Sequence, residues 1–249
     1  MSTLPIYVWA IVLVGLIGTA ATICVMLLRG ALDAGFSRRT ATTVAAAAGT
    51  VWATWVLASA WLADAGVYRF DPTKAQPWLL VALTGSIAAA LLATRVPVVS
   101  PILARPDALW RLTVPQIFRV VGVAFLVVMA LHKLPAVFAL PAGLGDIAIG
   151  FDAVFVARGI RRGVVGRRAV WFNILGLLDL VVALGIGVAA APGVAHLLST
   201  SPTTQEIALL PVVLIPTTVV PLAVALHLLS LRKLATTATS TFVPTPVGA

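Results

Sequence analysis

Seven stretches of almost unbroken apolar residues run along this chain, each separated from the next by a short basic, Pro-containing or Gly-containing connection. They cover Pro5 to Leu28, Thr42 to Leu62, Trp78 to Thr94, Val114 to Leu131, Leu140 to Ala157, Ala169 to Ala191 and Ile207 to Leu231. Each has roughly 17 to 25 residues, the length that crosses a hydrocarbon core of about 30 Å at about 1.5 Å per residue. The pattern predicts an all-α polytopic transmembrane helix bundle of about seven helices. One re-entrant segment among them, lying in the membrane without crossing it, would reduce the number to six.

The connections orient the bundle. Arg29, Arg38, Arg39, Arg95, Arg105, Arg111, Arg158, Arg161, Arg162, Arg167, Arg168, Arg232 and Lys233 fall on one side, against Arg69, Lys74 and Lys133 on the other. Basic residues collect on the cytoplasmic side, so this asymmetry predicts an external N-terminus and a cytoplasmic C-terminus in a bacterial cytoplasmic membrane. Trp9, Trp61 and Trp78 then sit near the outer interface and Trp110 and Trp171 near the inner one. Residues 1–233 form one membrane domain, and 234–249, rich in Thr, Ser and Pro, reads as a disordered cytoplasmic tail. The stretch from Arg95 to Thr113, with Pro97, Pro101 and Pro106, reads as a cytoplasmic connector.

Composition changes the picture only by exclusion. At 61% hydrophobic, 10% charged and mean hydropathy +1.09, the chain has too little polar surface for a soluble globule of 249 residues, and its partner is the lipid bilayer. The net charge of +9 sits in loops, where it sets topology, so no nucleic-acid partner is expected. Cys24 is the single cysteine and supports neither a disulfide nor a metal cluster. No lysine lies between Ile207 and Leu231 to hold a retinal, His132, His196 and His227 are not placed as a haem pair, and no hydrolase or nucleotide motif is present. No cofactor, no metal and no catalytic residue is expected. A homo-oligomer is left open.

Polar residues inside the apolar stretches mark the interesting half: Gln116, Arg119, Asp146, Asp152, Asn173, Asp179 and His227. An ionised group at that depth costs roughly 2.5 to 3.5 kcal/mol on insertion scales, so each wants a partner or a task. Counted from the cytoplasmic edge, Arg119, Asp152, Asn173 and His227 lie about 6 to 9 Å in and Asp146 and Asp179 about 16 to 18 Å in. These depths predict an Arg119 to Asp152 ion pair. They leave Asp146 and Asp179 at one level without a cation, poised to share or bind a proton. Arg119 is then available to an anionic group or to Asp152. The competing account makes Arg119, Asp152, Gln116 and Asn173 an interhelical clamp and each midplane Asp a neutral donor to a carbonyl.

Two further features concern backbone. Pro141, Gly143 and Gly145 predict an irregular start to the fifth helix, either beside a binding site or as an outer turn with close glycine packing. Pro211, Pro216 and Pro221, around Thr217 and Thr218, predict a bent seventh helix, either a threonine-lined gate or a bend that fits its neighbours.

Gln116, Phe118, Arg119 and Gly122 spell Gln-x-Phe-Arg-x-x-Gly. Leu134, Pro135, Phe138, Ala139, Pro141, Ala142, Gly143, Gly145 and Asp146 spell Leu-Pro-x-x-Phe-Ala-x-Pro-Ala-Gly-x-Gly-Asp. With these the chain resembles an uncharacterised group of multi-pass bacterial membrane proteins. The resemblance implies no activity and points to the same region. The expectation is a small proton-coupled transporter or carrier of a small solute, with its site among the fourth to sixth helices. The alternative is a non-catalytic membrane scaffold or assembly partner.

Overall fold

The computed structural model describes residues 4–71, 73, 77–193 and 196–240. It is all-α, and six of its helices are long and apolar enough to cross a membrane: Ile6–Asp33, Arg38–Asp64, Ala108–Ala130, Ala136–Arg161, Arg167–Ala189 and Ile215–Thr236. Trp78–Ala93 is a shorter apolar helix of 16 residues, about 24 Å long and therefore short of a full crossing. The seven expected spans are thus six long helices and one short one.

In chain order the elements are α1 (Ile6–Asp33), α2 (Arg38–Asp64), α3 (Trp78–Ala93), α4 (Val99–Ala104), α5 (Ala108–Thr113), a 3-10 segment (Val114–Gly122), α6 (Val123–Ala130), α7 (Ala136–Arg161), α8 (Arg167–Ala189), a 3-10 turn (Thr204–Ala208), a π-turn (Ile215–Val219) and α9 (Val220–Ser240). The 3-10 segment and α7 form the heart of the bundle. Helix α7 packs on that segment, on α6 and on α8; α1 packs on the opposite side of the segment; α9 closes the ring against α3, α5 and α8.

Three expectations about backbone change. The connector before the fourth span is two short helices, and α5 runs straight into the 3-10 segment, so that span starts at Ala108, six residues before Val114. Helix α7 is continuous through Pro141, with no irregular start. The missing N–H of Pro141 falls near the helix start, where it leaves only the Val137 carbonyl without its usual donor, and the glycines serve close packing instead. Helix α9 continues past Lys233 through Ser240, whereas residues 241–249 of the expected tail, like Lys74, lie outside the described residues.

Arg111, expected in a loop as a topology residue, is buried. Its guanidinium spans Asp33 Oδ2 and Asp107 Oδ2, both at 2.5 Å, and donates to the Met26 carbonyl at 3.3 Å, which ties α1 to the start of α5.

The expected bend before α9 is a 3-10 turn, an irregular passage through Pro211 and a π-turn holding Pro216. Pro221 has no N–H to offer the carbonyl four residues back, that of Thr217. Other helices supply the donors: Trp55 Nε1 from α2 at 2.8 Å and Ser86 Oγ from α3 at 3.4 Å. Ser59 donates to Thr217 Oγ1 at 2.8 Å, and that hydroxyl donates to the Val213 carbonyl. The Thr217 hydroxyl is thus engaged in helix packing. Trp55→Phe should therefore lower stability by about 1 to 2 kcal/mol, read as a shift of the denaturation midpoint in detergent, while Trp52→Phe shifts it little.

Outside the spans, burial pushes the Glu206 carboxyl up, with the Lys133 charge opposing, and its Oε1 has no hydrogen-bond partner among the described residues. A raised folded-state pKa stabilises the fold below the unfolded value, near 4.5, and that contribution is lost as pH rises through the folded value. Melting temperature should fall across this window in wild type, and Glu206→Gln should flatten the dependence.

Candidate functional site

Three-residue periodicity builds the site. In a 3-10 helix side chains at i and i+3 eclipse, so Thr113, Gln116, Arg119 and Gly122 stack in one column, and all four are buried. An α-helix would rotate each successive member by about 60°, spreading the column around the helix. The second column, with Phe118 and Val121, faces α1, where Gly18 and Gly15 leave no room for a side chain.

Arg119 is 2% exposed and every guanidinium nitrogen is engaged. Nε donates to Asp146 Oδ1 at 2.8 Å, Nη2 lies 2.8 Å from the same oxygen and donates to Asp179 Oδ2 at 2.5 Å, and Nη1 donates to the Gly176 carbonyl at 3.1 Å. Nη1 also donates to His227 Nε2 at 3.1 Å. Arginine has no acceptor, so Nε2 must be the bare nitrogen and Nδ1 carries the proton. His227 Nδ1 then donates to Asn173 Oδ1 at 2.9 Å, and Asn173 Nδ2 donates to the Ala169 carbonyl at 2.7 Å. Gln116 Nε2 donates to the Ala223 carbonyl at 3.1 Å, fixing the column to α9.

This arrangement corrects the expected Arg119 to Asp152 pair. Starting at Ala108 and rising about 2.0 Å per residue in its 3-10 part, the span lifts Arg119 to about 19 Å from its end, level with Asp179 at about 18 Å and Asp146 at about 22 Å from theirs. Asp152 lies six residues beyond Asp146, turned about 120° away, and pairs with Arg168 at 2.5 Å on a more open face. Asp146 and Asp179 do meet, yet they meet on a cation. Arg119 therefore has no arm left for an anionic substrate.

Glycines make the room. An added Cβ at Gly122 would overlap Asp146, at Gly145 the Asp179 carboxylate, and at Gly176 the His227 ring. Two of these glycines belong to the motifs read from the sequence; Gly176 was missed, because a lone glycine in an apolar helix carries no periodic signal. Also missed was a cavity of about 260 Å³ that has Asp146 in its wall, with Phe125, Phe138, Leu83 and Leu180 among its apolar lining. Phe125 and Phe138 meet edge to face at 5.3 Å.

The cluster lies within a region matched by a family model. A model described as a domain of unknown function (DUF8737) matches residues 76–235. The chain belongs to this family. No curated protein and no solved structure matches it. The DUF8737 segment contains every residue of the Arg119 cluster, while α1 and α2 precede it.

Removing the shared guanidinium would leave both carboxylates buried without their counter-charge, so Arg119→Ala should cost about 3 to 5 kcal/mol of stability. Asp152→Ala, which breaks a more exposed pair, should stay within about 0.5 to 1 kcal/mol of wild type. Denaturation midpoints of the two variants in the same detergent check the contrast; equal losses would contradict the assignment of partners.

Proposed function

We propose that this membrane protein is a small proton-coupled carrier of the bacterial cytoplasmic membrane, with Asp146 and Asp179 as its proton site. One observation carries the reading: two carboxylates share one guanidinium, with a neutral His227 behind it. With both carboxylates ionised the cluster bears one net negative charge in a low-dielectric interior, which is costly until a proton or another cation neutralises it. Asp146 also faces a cavity, so the charge is within reach of a ligand. The distribution of Lys and Arg among the connections supports an external N-terminus and a cytoplasmic C-terminus.

A second reading, a non-catalytic scaffold, is favoured by the complete engagement of Arg119, since a fully paired network rigidifies a bundle without doing anything further.

Infrared difference spectroscopy of the protein in lipid separates the two. A carrier should show a protonated-carboxyl band that titrates between about pH 5 and 8 and is lost in Asp146→Asn or Asp179→Asn. A spectrum with no titrating carboxyl across that range would replace the carrier with the scaffold.

A further inference from the structure

The cavity beside Asp146 has a chemical character of its own. Leu79, Leu80 and Leu83 of α3 form one wall and Leu180, Ala183 and Leu184 of α8 the other. Helix α3 packs on α9 and the π-turn, and α8 packs on α7 and α9, so the two walls face each other across the cavity instead of closing it. At the rim Leu80 is 37% exposed and Leu184 40% exposed. The cavity thus lies between two apolar helix walls, with Phe70, Asp71 and Pro77 and, after α8, Pro192 and Gly193 from the connections also in its lining. At its depth sits a carboxylate that shares its guanidinium with a second one.

An apolar chamber with surplus negative charge selects against anions and against strongly hydrated metal ions, which would lose a full shell of water and find in return only the two acidic residues of a largely apolar lining, Asp146 and Asp71. A neutral apolar solute would fill the chamber and leave the charge unbalanced. A cation whose charge is spread over or shielded by carbon meets both demands. The aromatic pair Phe125 and Phe138 in the wall adds faces on which such a cation can rest. The volume, about 260 Å³, suits a molecule of about ten to fifteen heavy atoms.

We infer that the cavity between α3 and α8 binds a small lipophilic organic monocation, an aryl-alkyl amine or quaternary ammonium, against Asp146 in exchange for a proton. This substrate class rests on the proposed proton site. The exchange balances: the carboxylate pair with its guanidinium carries one negative charge, neutralised either by the bound proton or by the organic cation, and the displaced proton goes to water.

The test is calorimetric titration of the purified full chain with benzyltrimethylammonium, which has no proton of its own, beside its neutral isostere neopentylbenzene. Affinity for the cation should rise toward tenfold per pH unit while the site is protonated. About one proton should be released per cation bound, read from the dependence of heat on buffer ionisation enthalpy. The neutral isostere should bind weakly and without pH dependence. Gly187→Leu, which fills the chamber against Phe138, should abolish cation binding and leave the titrating carboxyl band in place.

Equal binding of the two probes, or cation binding that ignores pH, would overturn the exchange. No cation binding at any pH, with the carboxyl band still titrating, would overturn the substrate class and leave the proton site standing. PH-independent cation binding without a titrating band would remove the proton site instead and leave a cation pocket. The isostere comparison and the pH series use the wild-type chain, so they stand even if Gly187→Leu or Asp146→Asn fails to fold.

Discussion

A guanidinium buried in the middle of a membrane bundle must have all its donors met, and most of what is unusual in this chain follows from that requirement. Arg119 draws one carboxylate from α7, another and a main-chain carbonyl from α8, and an imidazole nitrogen from α9. Each of those contacts fixes the level and rotation of a helix. Apolar surfaces slide past one another in lipid at little cost, because side chains and acyl chains are equally oily. Directed hydrogen bonds do not slide, and here they set the register of four elements at one point.

The architecture was largely legible from hydropathy, since length and apolar content decide what can span a bilayer. The site was legible as a set of residues and misread as a set of pairs. Ideal α-helices beginning at the first apolar residue put Arg119 at the depth of Asp152, and the fourth span is neither: α5 lengthens it and the 3-10 part stretches it. That displacement moved Arg119 from the level of Asp152 to the level of Asp146 and Asp179. The signal was nonetheless in the sequence, because Gln116, Arg119 and Gly122 are spaced by three, the repeat of a 3-10 helix. The cavity was not legible at all. It depends on α3 and α8 standing apart, which no local pattern encodes.

Proline and glycine take roles here that differ from their usual punctuation. Pro221 releases a carbonyl that α2 and α3 then bind, so the break becomes a point of attachment for the helices at the edge of the bundle. Gly122, Gly145 and Gly176 lie where side chains of the ionic cluster need space, so they act as the negative of its shape. The family match begins at residue 76, after α1 and α2, and α2 buries little more than Ala41, Ala45, Ser59 and Ala63. The extent of the family match contains the mechanical centre of the bundle.

The 3-10 column sets a rule for how this region can vary over generations. Each residue in such a helix advances about 120°, so inserting or deleting a single residue between Gln116 and Gly122 would carry Arg119 or Gly122 onto a different column, out of phase with its partners on the other three elements. Substitution without insertion or deletion leaves that phase untouched. Among descendants of this chain the segment Val114–Gly122 should therefore drift in identity away from Gln116, Arg119 and Gly122 while keeping its number of residues, a fixed-length cassette inside helices whose ends are free to lengthen.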